Sequence, residues 1–285
     1  MQNKTEVKFW QAALNQFDGA GLSVDGDFGD KSVAATKAFQ RRVRITEDGS
    51  AGPITQLKMG FLPTVNKNIV TLEIPFNKLS AANTLVKNGQ GYNCERFARE
   101  MGYDIVMNGA FFQMSNRKIV QLVVSNGQVI NWGMGLRGIA FPRVWSKATY
   151  SHVNDVVGKP FDLQGGAPFL VSDYKIDQQG IADFKNPAIM NSKTRRGCLG
   201  ITSTSFFLMF SIANCTLYDM ANEAINQHIQ YVIGLDGGGS QSLWMGGAWV
   251  ITTDGRLIPE AVGLRVAKVN PPQERICPTC KQIWR

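Results

Sequence analysis

The first sixty residues show the period of short amphipathic helices separated by tight turns. Apolar side chains recur three or four positions apart, which predicts a first helix with one buried face; they are Val7, Trp10, Leu14 and Phe17. A second stripe follows Asp30, the predicted N-cap, and consists of Val33, Thr36, Phe39 and Val43. After a second Asp-Gly turn, Pro53 lies near the start of a short third helix. Residues 1–60 are therefore predicted to form a small all-α three-helix bundle.

Beyond this bundle the pattern changes to short β-branched runs. FLPTVNK (61–67) has the proline and polar character of a short linker. Strands are predicted for IVTLEIP, YDIVMNG and QLVVSNGQVINW, the last with a hairpin turn at SNGQ. Two helices interrupt them, one around 94–101 and one after a Thr216 cap that leads into YVIGLD. Residues 68–268 are predicted to form a larger mixed α+β domain, and residues 269–285 a tail containing CPTC.

Composition and charge narrow the classes of partner. The chain has 285 residues, 44% hydrophobic and 18% charged, as in soluble globular proteins. Its net charge of +8 lies almost wholly after residue 60, which favours anionic partners. The basic residues neither cluster nor alternate with aromatic residues, so no nucleic-acid partner is expected. No apolar run approaches the roughly 18 residues of a membrane helix, so no membrane partner is expected either.

Four polar or glycine-rich segments each follow an apolar run in the larger domain. They are NGAFF (108–112), GGAPFL (165–170), TRRGCLGIT (194–202) and LDGGGSQS (235–242). Strand ends with permissive backbone are where sheets build sites. Asparagine, arginine and aspartate there would supply an orienting amide, a fork for phosphate, and an acid, base or nucleophile. The four segments are predicted to form one pocket.

The N-terminal bundle resembles a known wall-binding family. VDGDFGDKSVAATKAFQ, followed by EDGSAGPITQLKMG, is similar to the type 1 peptidoglycan-binding domain over roughly residues 3 to 60. The resemblance implies a non-catalytic module that recognises the peptide stems of peptidoglycan, with Asp25, Gly26, Phe28 and Gly29 at or near its groove. The alternative that these residues only fold the bundle is equally open.

The larger domain resembles the phosphodiester glycosidase domain over roughly residues 68 to 268. NGAFF, RGCLGIT, GLDGGGSQSLW and the closing GRLIPEAVGLRV carry the resemblance. The family includes the enzyme that uncovers mannose 6-phosphate by removing N-acetylglucosamine. Two motifs depart from its pattern: NGAFF replaces NGGFF, and Gly197 stands where the family has the threonine of R-T-x-x-G. The departure leaves Arg195 and Arg196 both open as the functional arginine, although the spacing to Gly200 favours Arg196.

The resemblance implies hydrolysis of a sugar-1-phosphate diester and suggests residue roles. Asp236 is assigned as nucleophile or general base, Arg196 to the phosphate and Asn108 to the sugar. The amides of Gly237, Gly238 and Gly239 are expected to cradle anionic oxygens. Further candidates for substrate binding are Gly166, Arg195 and Ser240. Glu95 is a candidate second carboxylate, although a solvated helix face is the favoured interpretation. No cofactor and no metal site are predicted, and a divalent ion beside Asp236 stays an open question.

Other wall-degrading classes fit the residues less well. Zinc amidases and endopeptidases need several histidine, aspartate or cysteine ligands, but the chain has two histidines. His228 is predicted on the apolar face of a helix, and His152 is isolated from any second ligand motif. A Cys–His peptidase would need a poised thiol, and nothing pairs Cys198 with His152. The CPTC segment is half a zinc ribbon and is interpreted as a plain tail; Cys94 is interpreted as core.

The sequence thus predicts a cell-wall-targeted glycosidase, interpreted as a bacteriolytic endolysin of a phage or prophage. Its expected partners are bacterial peptidoglycan and anionic wall polymers, and it is expected to be a monomer or small homo-oligomer. Since the N-terminus lacks a signal-peptide core, we expect synthesis in the host cytoplasm and action at the wall. The alternatives are a muramidase-like glycosidase, which needs only carboxylates, and a non-catalytic wall-binding structural protein.

Overall fold

The architecture is an N-terminal helical region followed by a larger β-rich domain. The computed structural model describes residues 3–59, 62–66, 68–87, 91–133, 135–165, 168–267, 275–276 and 283–284. Its α-helices are α1 (Lys4–Asp18), α2 (Asp30–Arg42), α3 (Pro53–Met59), α4 (Cys94–Met101), α5 (Val153–Val156), α6 (Gln178–Ala182), α7 (Pro187–Met190) and α8 (Leu217–Asn226), with 3-10 turns at Phe76–Lys78 and Gly238–Ser240. Across the described segments, none of the helices has the length and apolar composition needed to cross a membrane.

Antiparallel strands make up most of the larger domain. In chain order they are β1 (Leu62–Asn66), β2 (Ile69–Pro75), β3 (Leu79–Val86), β4 (Ile105–Asn108), β5 (Val123–Ser125), β6 (Gln128–Asn131), β7 (Arg137–Pro142), β8 (Thr149–His152), β9 (Phe161–Gly165), β10 (Phe169–Ser172), β11 (Lys175–Ile176), β12 (Gly197–Ile201), β13 (Ser205–Ser211), β14 (Tyr231–Leu235), β15 (Leu243–Met245), β16 (Ala248–Ile251), β17 (Glu260–Val266), β18 (Arg275–Ile276) and β19 (Ile283–Trp284). Sheet A has the order β1-β2-β13-β12-β14-β10-β11, sheet B β16-β15-β4-β17-β3 and sheet C β6-β5-β9-β7-β8, while β18 and β19 pair with each other.

The three predicted N-terminal helices are present, with one difference at a cap. Helix α1 begins after Asn3, whose side chain accepts a hydrogen bond from the Glu6 amide at 3.0 Å, and ends at Gly19 in the left-handed conformation. Helix α2 starts at Asp30 itself, and Gly29 occupies the N-cap position without a side-chain bond. The predicted Asp30 cap is therefore wrong by one residue. Asp30 still lies in the first turn, where its carboxylate interacts favourably with the helix dipole.

A buried glutamine fixes each of the two Asp-Gly turns that connect the helices of the N-terminal bundle. Gln11 Nε2 donates to Asp25 Oδ1 at 2.8 Å, and Gln11 Oε1 accepts from the Gly26 amide at 2.9 Å. Gln40 repeats both bonds with Asp48 and Gly49, at 2.6 and 2.8 Å. Because a glutamine side chain offers one donor and one acceptor end, it closes both sides of such a turn.

The segment predicted as a linker is instead a strand. Residues 62–66 form β1, which pairs antiparallel with β2 from Leu62↔Glu73 to Asn66↔Ile69. An edge strand tolerates proline, since one side of it has no partner strand to bond with. The proline and polar residues that suggested a linker thus mark the edge of sheet A.

Other local predictions are confirmed. The predicted hairpin at SNGQ joins β5 to β6, with Asn126 and Gly127 at positive φ of 50° and 74°. Helix α4 ends at Gly102 with φ 70°, and Thr216 caps α8 in a capping box with Asp219.

His228 is a correction. Helix α8 ends at Asn226, and His228 lies beyond it, exposed and at positive φ. It is therefore not part of the apolar helix face on which it was predicted.

A buried carboxylate ties sheet C to sheet B. Asp162 of β9 is fully buried and accepts hydrogen bonds from Asn83 Nδ2 at 2.9 Å and from the Thr84 amide at 3.1 Å, both on β3. Arg143 completes its environment with an ion pair at 2.8 Å. Removal of either partner from a buried, hydrogen-bonded ion pair of this kind strongly destabilises the fold.

The helical region packs directly on the β-rich domain. One apolar cluster includes Trp10 and Leu14 of α1 together with Leu72 of β2 and Met245 of β15. Asn15 Nδ2 donates to the Gly246 carbonyl at 3.2 Å, and the Gly246 amide donates to Gln16 Oε1 at 3.3 Å. The bundle therefore shares a core with the sheets.

Candidate functional site

Two ends of neighbouring strands in sheet A bring Asp236 and Arg196 together. Strands β12 and β14 pair antiparallel with Gly197 opposite Leu235. Asp236 directly follows β14 and Arg196 directly precedes β12, so one further step of the register places them opposite each other. Facing residues on adjacent antiparallel strands are close neighbours.

The NGAFF segment joins this point from sheet B. The Asp236 amide donates to the Gly109 carbonyl at 2.9 Å. Asn108 Nδ2 donates to the Asp236 carbonyl at 2.7 Å, and Asn108 Oδ1 accepts from the Ser242 amide at 2.9 Å. Asn108 is fully buried. Its amide therefore holds the LDGGGSQS loop, which gives Asn108 a positioning role; the contact with the sugar stays a prediction.

At each position of the glycine triplet, a side chain would be unfavourable for a different reason. A Cβ on Gly237 would overlap the Arg195 carbonyl, and one on Gly239 would overlap the Asp254 carboxylate. Gly238 has φ +57°, which side chains rarely adopt. The triplet lets the loop pass closely between two other segments.

The predicted amide cradle differs from what the structure shows. The Gly237 amide donates to Oδ1 of Asp236 at 3.0 Å, and the Gly238 amide donates to the Arg195 carbonyl at 2.8 Å. These two donors are already used within the protein. Since the Asp236 carboxylate itself receives one of them, the loop orients the acid.

Asp236 is a partly exposed acid with a raised pKa. Burial raises the pKa of Asp236 to about 6, against hydrogen bonds from Ser240 and the Gly237 amide and the charges of Arg256 and Arg196, which lower it. Desolvation disfavours the charged form, and here it outweighs the stabilising groups. The carboxylate is ionised at neutral pH yet retains the basicity that a general base or nucleophile requires.

The two candidate arginines have different surroundings. Arg196 is buried, and its Nη2 donates to the Ile189 carbonyl at 2.5 Å, the Ser192 carbonyl at 2.8 Å and Ser192 Oγ at 3.1 Å. Its Nε has no hydrogen-bond partner among the described residues. Arg195 is half-buried, and its Nη1 donates to the Thr252 carbonyl at 3.4 Å. Arg196 thus fixes the 189–192 segment, while Arg195 lies at a cleft.

Arg256 is a site residue that the sequence analysis missed. Its Nη1 donates to Ser240 Oγ at 3.3 Å and its Nη2 pairs with Asp254 at 3.0 Å. Ser240 is fully buried and hydrogen-bonds Asp236. The available signal was the Asp254-Gly255 turn after an apolar run, the same pattern that singled out LDGGGSQS.

Glu260 is the second missed residue. It is fully buried on β17, its Oε2 accepts from the Ala110 amide at 2.6 Å, and the Gln164 side chain lies near enough to the carboxyl to lower its pKa. Burial raises the pKa of Glu260 to about 8, so it is mostly protonated at neutral pH. A Cβ on Gly109 would overlap its carboxylate. A lone acid within the apolar run PEAVG was the signal.

Glu95, the predicted second carboxylate, lies on the surface of α4. Its carboxylate pairs with Arg99 of the same helix at 2.9 Å. This agrees with the solvated helix face that was the favoured interpretation, and the acid next to the NGAFF segment is Glu260.

The remaining candidates divide into buried and capping groups. Burial raises the pKa of the Cys94 thiol to about 12 and also raises that of Cys198, so neither is a ready nucleophile. His152 caps α5, its Nδ1 accepting from the Asn154 amide at 3.2 Å. Gly166 and the CPTC segment lie outside the described residues. Within the described ranges, no group of three or more acidic, histidine or cysteine side chains is arranged to hold a metal ion.

The predicted wall-binding residues lie around the first Asp-Gly turn. Asp25 is exposed, and bonds from the Asp27 amide and Gln11 lower the pKa of its carboxyl. Gly26 has φ +85°, and its missing Cβ would meet the Lys4 carbonyl at 2.8 Å. Phe28 is partly buried against the core, and Gly29 is the N-cap residue of α2. Asp25 and Gly26 therefore have structural roles, and ligand binding by the turn remains a prediction.

Comparison with known proteins confirms both family resemblances. Residues 3–59 match a peptidoglycan binding domain and residues 101–265 match the phosphodiester glycosidase family. No curated protein matches the chain. The catalytic domain of zebrafish N-acetylglucosamine-1-phosphodiester alpha-N-acetylglucosaminidase, auto-inhibited by its pro-peptide, is similar in structure, with TM-score 0.54, 14% identity, and coverage of 72% of this chain and 81% of that one.

A second solved structure shows the same fold. A hypothetical protein from Synechocystis has TM-score 0.56 and 12% identity, with coverage of 73% of this chain and 61% of that one. At such identities the two structures establish the fold alone. The family match itself spans more than half of the chain. The chain therefore belongs to the phosphodiester glycosidase family and carries an N-terminal peptidoglycan binding domain.

Proposed function

We propose that this chain is a cell-wall-targeted glycosidase that hydrolyses sugar-1-phosphodiester linkages in wall glycopolymers. The observation that carries the proposal is Asp236, a partly exposed carboxylate whose pKa is raised to about 6. It lies where the NGAFF, RRG and LDGGGSQS segments meet, within the family fold. The peptidoglycan binding domain beside it would supply targeting, and we propose that the chain acts at the wall as a lysin of a phage or prophage.

In the proposed reaction Asp236 acts at the anomeric carbon. Its carboxylate either attacks that carbon, giving a glycosyl ester that water then hydrolyses to release the sugar and the free acid, or takes a proton from the water that attacks the carbon directly. The bond from the anomeric carbon to the phosphate oxygen breaks, and its electron pair leaves with the phosphate monoester. Because a phosphate monoester is a fair leaving group, little protonation of the departing oxygen is needed. The Gly237 amide and Ser240 hold the carboxylate in place.

Positive charge near Asp236 supports the departure of the phosphate. Arg256 and Arg196 both lie close enough to lower the pKa of Asp236. Fixed cations aimed at developing negative charge are an effective form of electrostatic catalysis. We assign Arg256 and Arg196 to this field, with Arg196 also holding the 189–192 segment.

A muramidase-like reaction is the second candidate, favoured by one observation. Glu260 has its pKa raised to about 8, so it carries a proton at neutral pH. A sugar leaving group needs the protonated acid that a phosphate does not. Purified peptidoglycan without phosphate-linked polymers separates the two: new reducing ends from it would favour the muramidase reaction.

Wall targeting is tested with the full chain and insoluble walls. We expect the wild type to sediment with purified walls, and Gly26→Trp, which places a large side chain in the first Asp-Gly turn, to sediment less. The matched substitution Gly49→Trp in the second turn controls for damage to folding, since both glycines have positive φ and tight neighbours. A wild type that stays in solution would remove the targeting function.

A further inference from the structure

A cleft of about 450 Å³ lies between the helical domain and the strand ends of the β-rich domain. One wall comes from the helical domain, with Lys4 and Lys8 of α1 and Asp25 of the Asp-Gly turn. The opposite wall includes Arg195 and Gln241. The cleft therefore exists because the helical domain is docked, and neither domain forms it alone.

The charged groups of the cleft leave it net positive. Three cations line it: Lys4, Lys8 and Arg195. Lys4 pairs with Asp27 at 3.2 Å, with both side chains largely exposed. The Asp25 carboxylate is held within its own turn by Gln11 Nε2 and the Asp27 amide, at 2.8 and 2.9 Å. A concave, positively charged surface concentrates anionic ligands.

Gln241 supplies a second and independent observation. Its side chain is fully buried, and its Nε2 donates to the Arg196 carbonyl at 2.6 Å. Its Oε1 is buried and has no hydrogen-bond partner among the described residues. Because an unsatisfied buried acceptor is costly, a ligand hydroxyl or amide that donates to it would be favoured.

The backbone of Arg195, a residue that lines the cleft, is hydrogen-bonded to the loop that carries the candidate catalytic acid. The Arg195 carbonyl accepts from the Gly238 amide at 2.8 Å, two residues beyond Asp236. Gly237 is packed against the same carbonyl. A ligand that contacts Arg195 and Gln241 is therefore held beside the loop that carries Asp236.

We propose that this interdomain cleft binds a phosphodiester-linked, hydroxyl-bearing polymer next to the bond that Asp236 acts on. Lys4, Lys8 and Arg195 contact phosphate groups, and Gln241 Oε1 accepts from a sugar hydroxyl or amide. The inference rests on the proposed function for the position of the cleaved bond, and it extends that function by making the helical domain part of the substrate site. The substrate class is then an anionic polymer instead of a small sugar phosphate.

The test compares a polymer with a short substrate. The polymer is poly(glycerol phosphate) carrying N-acetylglucosamine, the short substrate is the methyl phosphodiester of N-acetylglucosamine 1-phosphate, and the neutral comparison is a chitooligosaccharide. The variant is Lys4→Glu/Lys8→Glu in the full chain. The control, Lys147→Glu/Lys159→Glu, makes the same charge change at two exposed lysines, one between β7 and β8 and the other between α5 and β9. Circular dichroism confirms the folding of each.

We expect the cleft variant to raise the Kd for the polymer at least about tenfold at low salt, since charge-assisted contacts are lost. The difference in Kd should shrink in about 1 M salt, because the Debye length there is only about 3 Å and the charges of the cleft are screened from the polymer. Hydrolysis of the short substrate and chitooligosaccharide binding should stay unchanged, and the control should bind polymer as the wild type does. Wild-type polymer affinity in the cleft variant, or an equal loss in the control, would overturn the proposal. If the wild type left the short substrate intact while the cleft variant lost polymer binding, the proposed reaction would fail and the cleft would stand.

Discussion

At the residue scale, burial gives two carboxyl groups different tasks. Asp236 is partly exposed with its pKa raised to about 6, whereas Glu260 is fully buried with its pKa raised to about 8. At neutral pH the first is ionised and the second is mostly protonated. The ionised acid is suited to act as nucleophile or general base, while the protonated one supports the backbone at Gly109 and Ala110 and would serve as the general acid only in the muramidase-like alternative.

Glu260 should make stability fall as pH rises. Its pKa is raised from 4.5 to about 8 on folding, so between these values the folded state holds a proton that the unfolded state releases. The stabilisation is complete below pH 4.5 and is lost as pH approaches 8. Urea unfolding at pH 5 and pH 8 should show a loss on the order of a few kcal/mol for wild type and a smaller loss for Glu260→Gln.

The control for this effect is Glu95→Gln, which changes an acid paired with Arg99 on the surface of α4. It should follow the wild-type pH dependence. An equal loss of stability in wild type and Glu260→Gln would show that Glu260 is ionised in the folded protein at neutral pH.

Truncation of Arg196 and truncation of Arg195 to alanine should affect different properties of the protein. Arg196→Ala removes the bonds to Ile189 and Ser192, and charged hydrogen bonds contribute about 1.5–3 kcal/mol each. It should lower both stability and turnover, and Arg196→Lys should restore little because lysine lacks the planar fork. Arg195→Ala should weaken substrate binding with little change in stability. Calorimetry and steady-state kinetics distinguish them; a fully stable Arg196→Ala would contradict its structural role.

At the element scale, the local elements followed from the sequence better than their assembly. The α4 and α8 helices and the SNGQ hairpin have strong local signals, namely caps, apolar stripes and turn glycines. Strand β1 was missed because an edge strand with a proline looks like a linker. The order of sheet A depends on contacts far apart in sequence, such as β2 with β13, which no local pattern contains.

The same division applies to the candidate site. Asp236 was predictable because its loop has an acid beside a glycine triplet. Glu260 and Arg256 have local signals, an acid in an apolar run and an Asp-Gly turn, but only the fold brings them against Gly109 and Ser240. The positioning role of Asn108 was not predictable, since its bonds to Asp236 and Ser242 arise only when sheets A and B meet.

The glycine of NGAFF that lies against Glu260 offers a matched pair of substitutions. Gly109→Ala would put a Cβ into the Glu260 carboxylate, whereas a Cβ on Gly197 would meet the Asp236 carbonyl at 3.5 Å, an ordinary contact. Overpacking a tight interior costs about 1–3 kcal/mol. Gly109→Ala should lower the Tm and the turnover, and Gly197→Ala should change both little.

Two outcomes complete this test. Adding Glu260→Ala to Gly109→Ala should recover part of the lost Tm, since it removes the overlapping carboxylate. If Gly109→Ala and Gly197→Ala were equally stable, the close approach of Gly109 and Glu260 would be wrong.

At the scale of the whole molecule, the peptidoglycan binding domain is packed against the β-rich domain. Trp10 and Leu14 share an apolar cluster with the sheets, and Asn15 and Gln16 bond Gly246. The next described element after the bundle is β1, which is an edge strand of sheet A. Wall binding and catalysis are therefore expected to act at a fixed geometry.

A substitution at Gly246 should weaken the contact between the helical and β-rich domains, and the same substitution at Gly247 serves as the control. Gly246 and Gly247 both have positive φ, 60° and 79°, but only a Cβ on Gly246 would overlap the Ala12 carbonyl; around Gly247 there is open space. Gly246→Ala should loosen the helical domain and reduce polymer hydrolysis more than hydrolysis of a short phosphodiester. Gly247→Ala carries the same backbone strain and should keep the ratio of the two rates. Equal behaviour of the two variants would argue against a functional docking contact.

The most direct test of the central claim is hydrolysis of a glycosyl phosphodiester by the wild type and by Asp236→Asn. The substitution keeps the shape of the side chain and removes the reacting charge, so turnover should fall at least about a thousandfold, as for loss of a nucleophile or general base, while substrate binding survives. Release of sugar and phosphate monoester by the wild type, lost in Asp236→Asn with its Kd unchanged, is the predicted result. An Asp236→Asn variant that turns over substrate like the wild type, or that loses binding but keeps turnover, would contradict the assignment of Asp236 as the reacting acid.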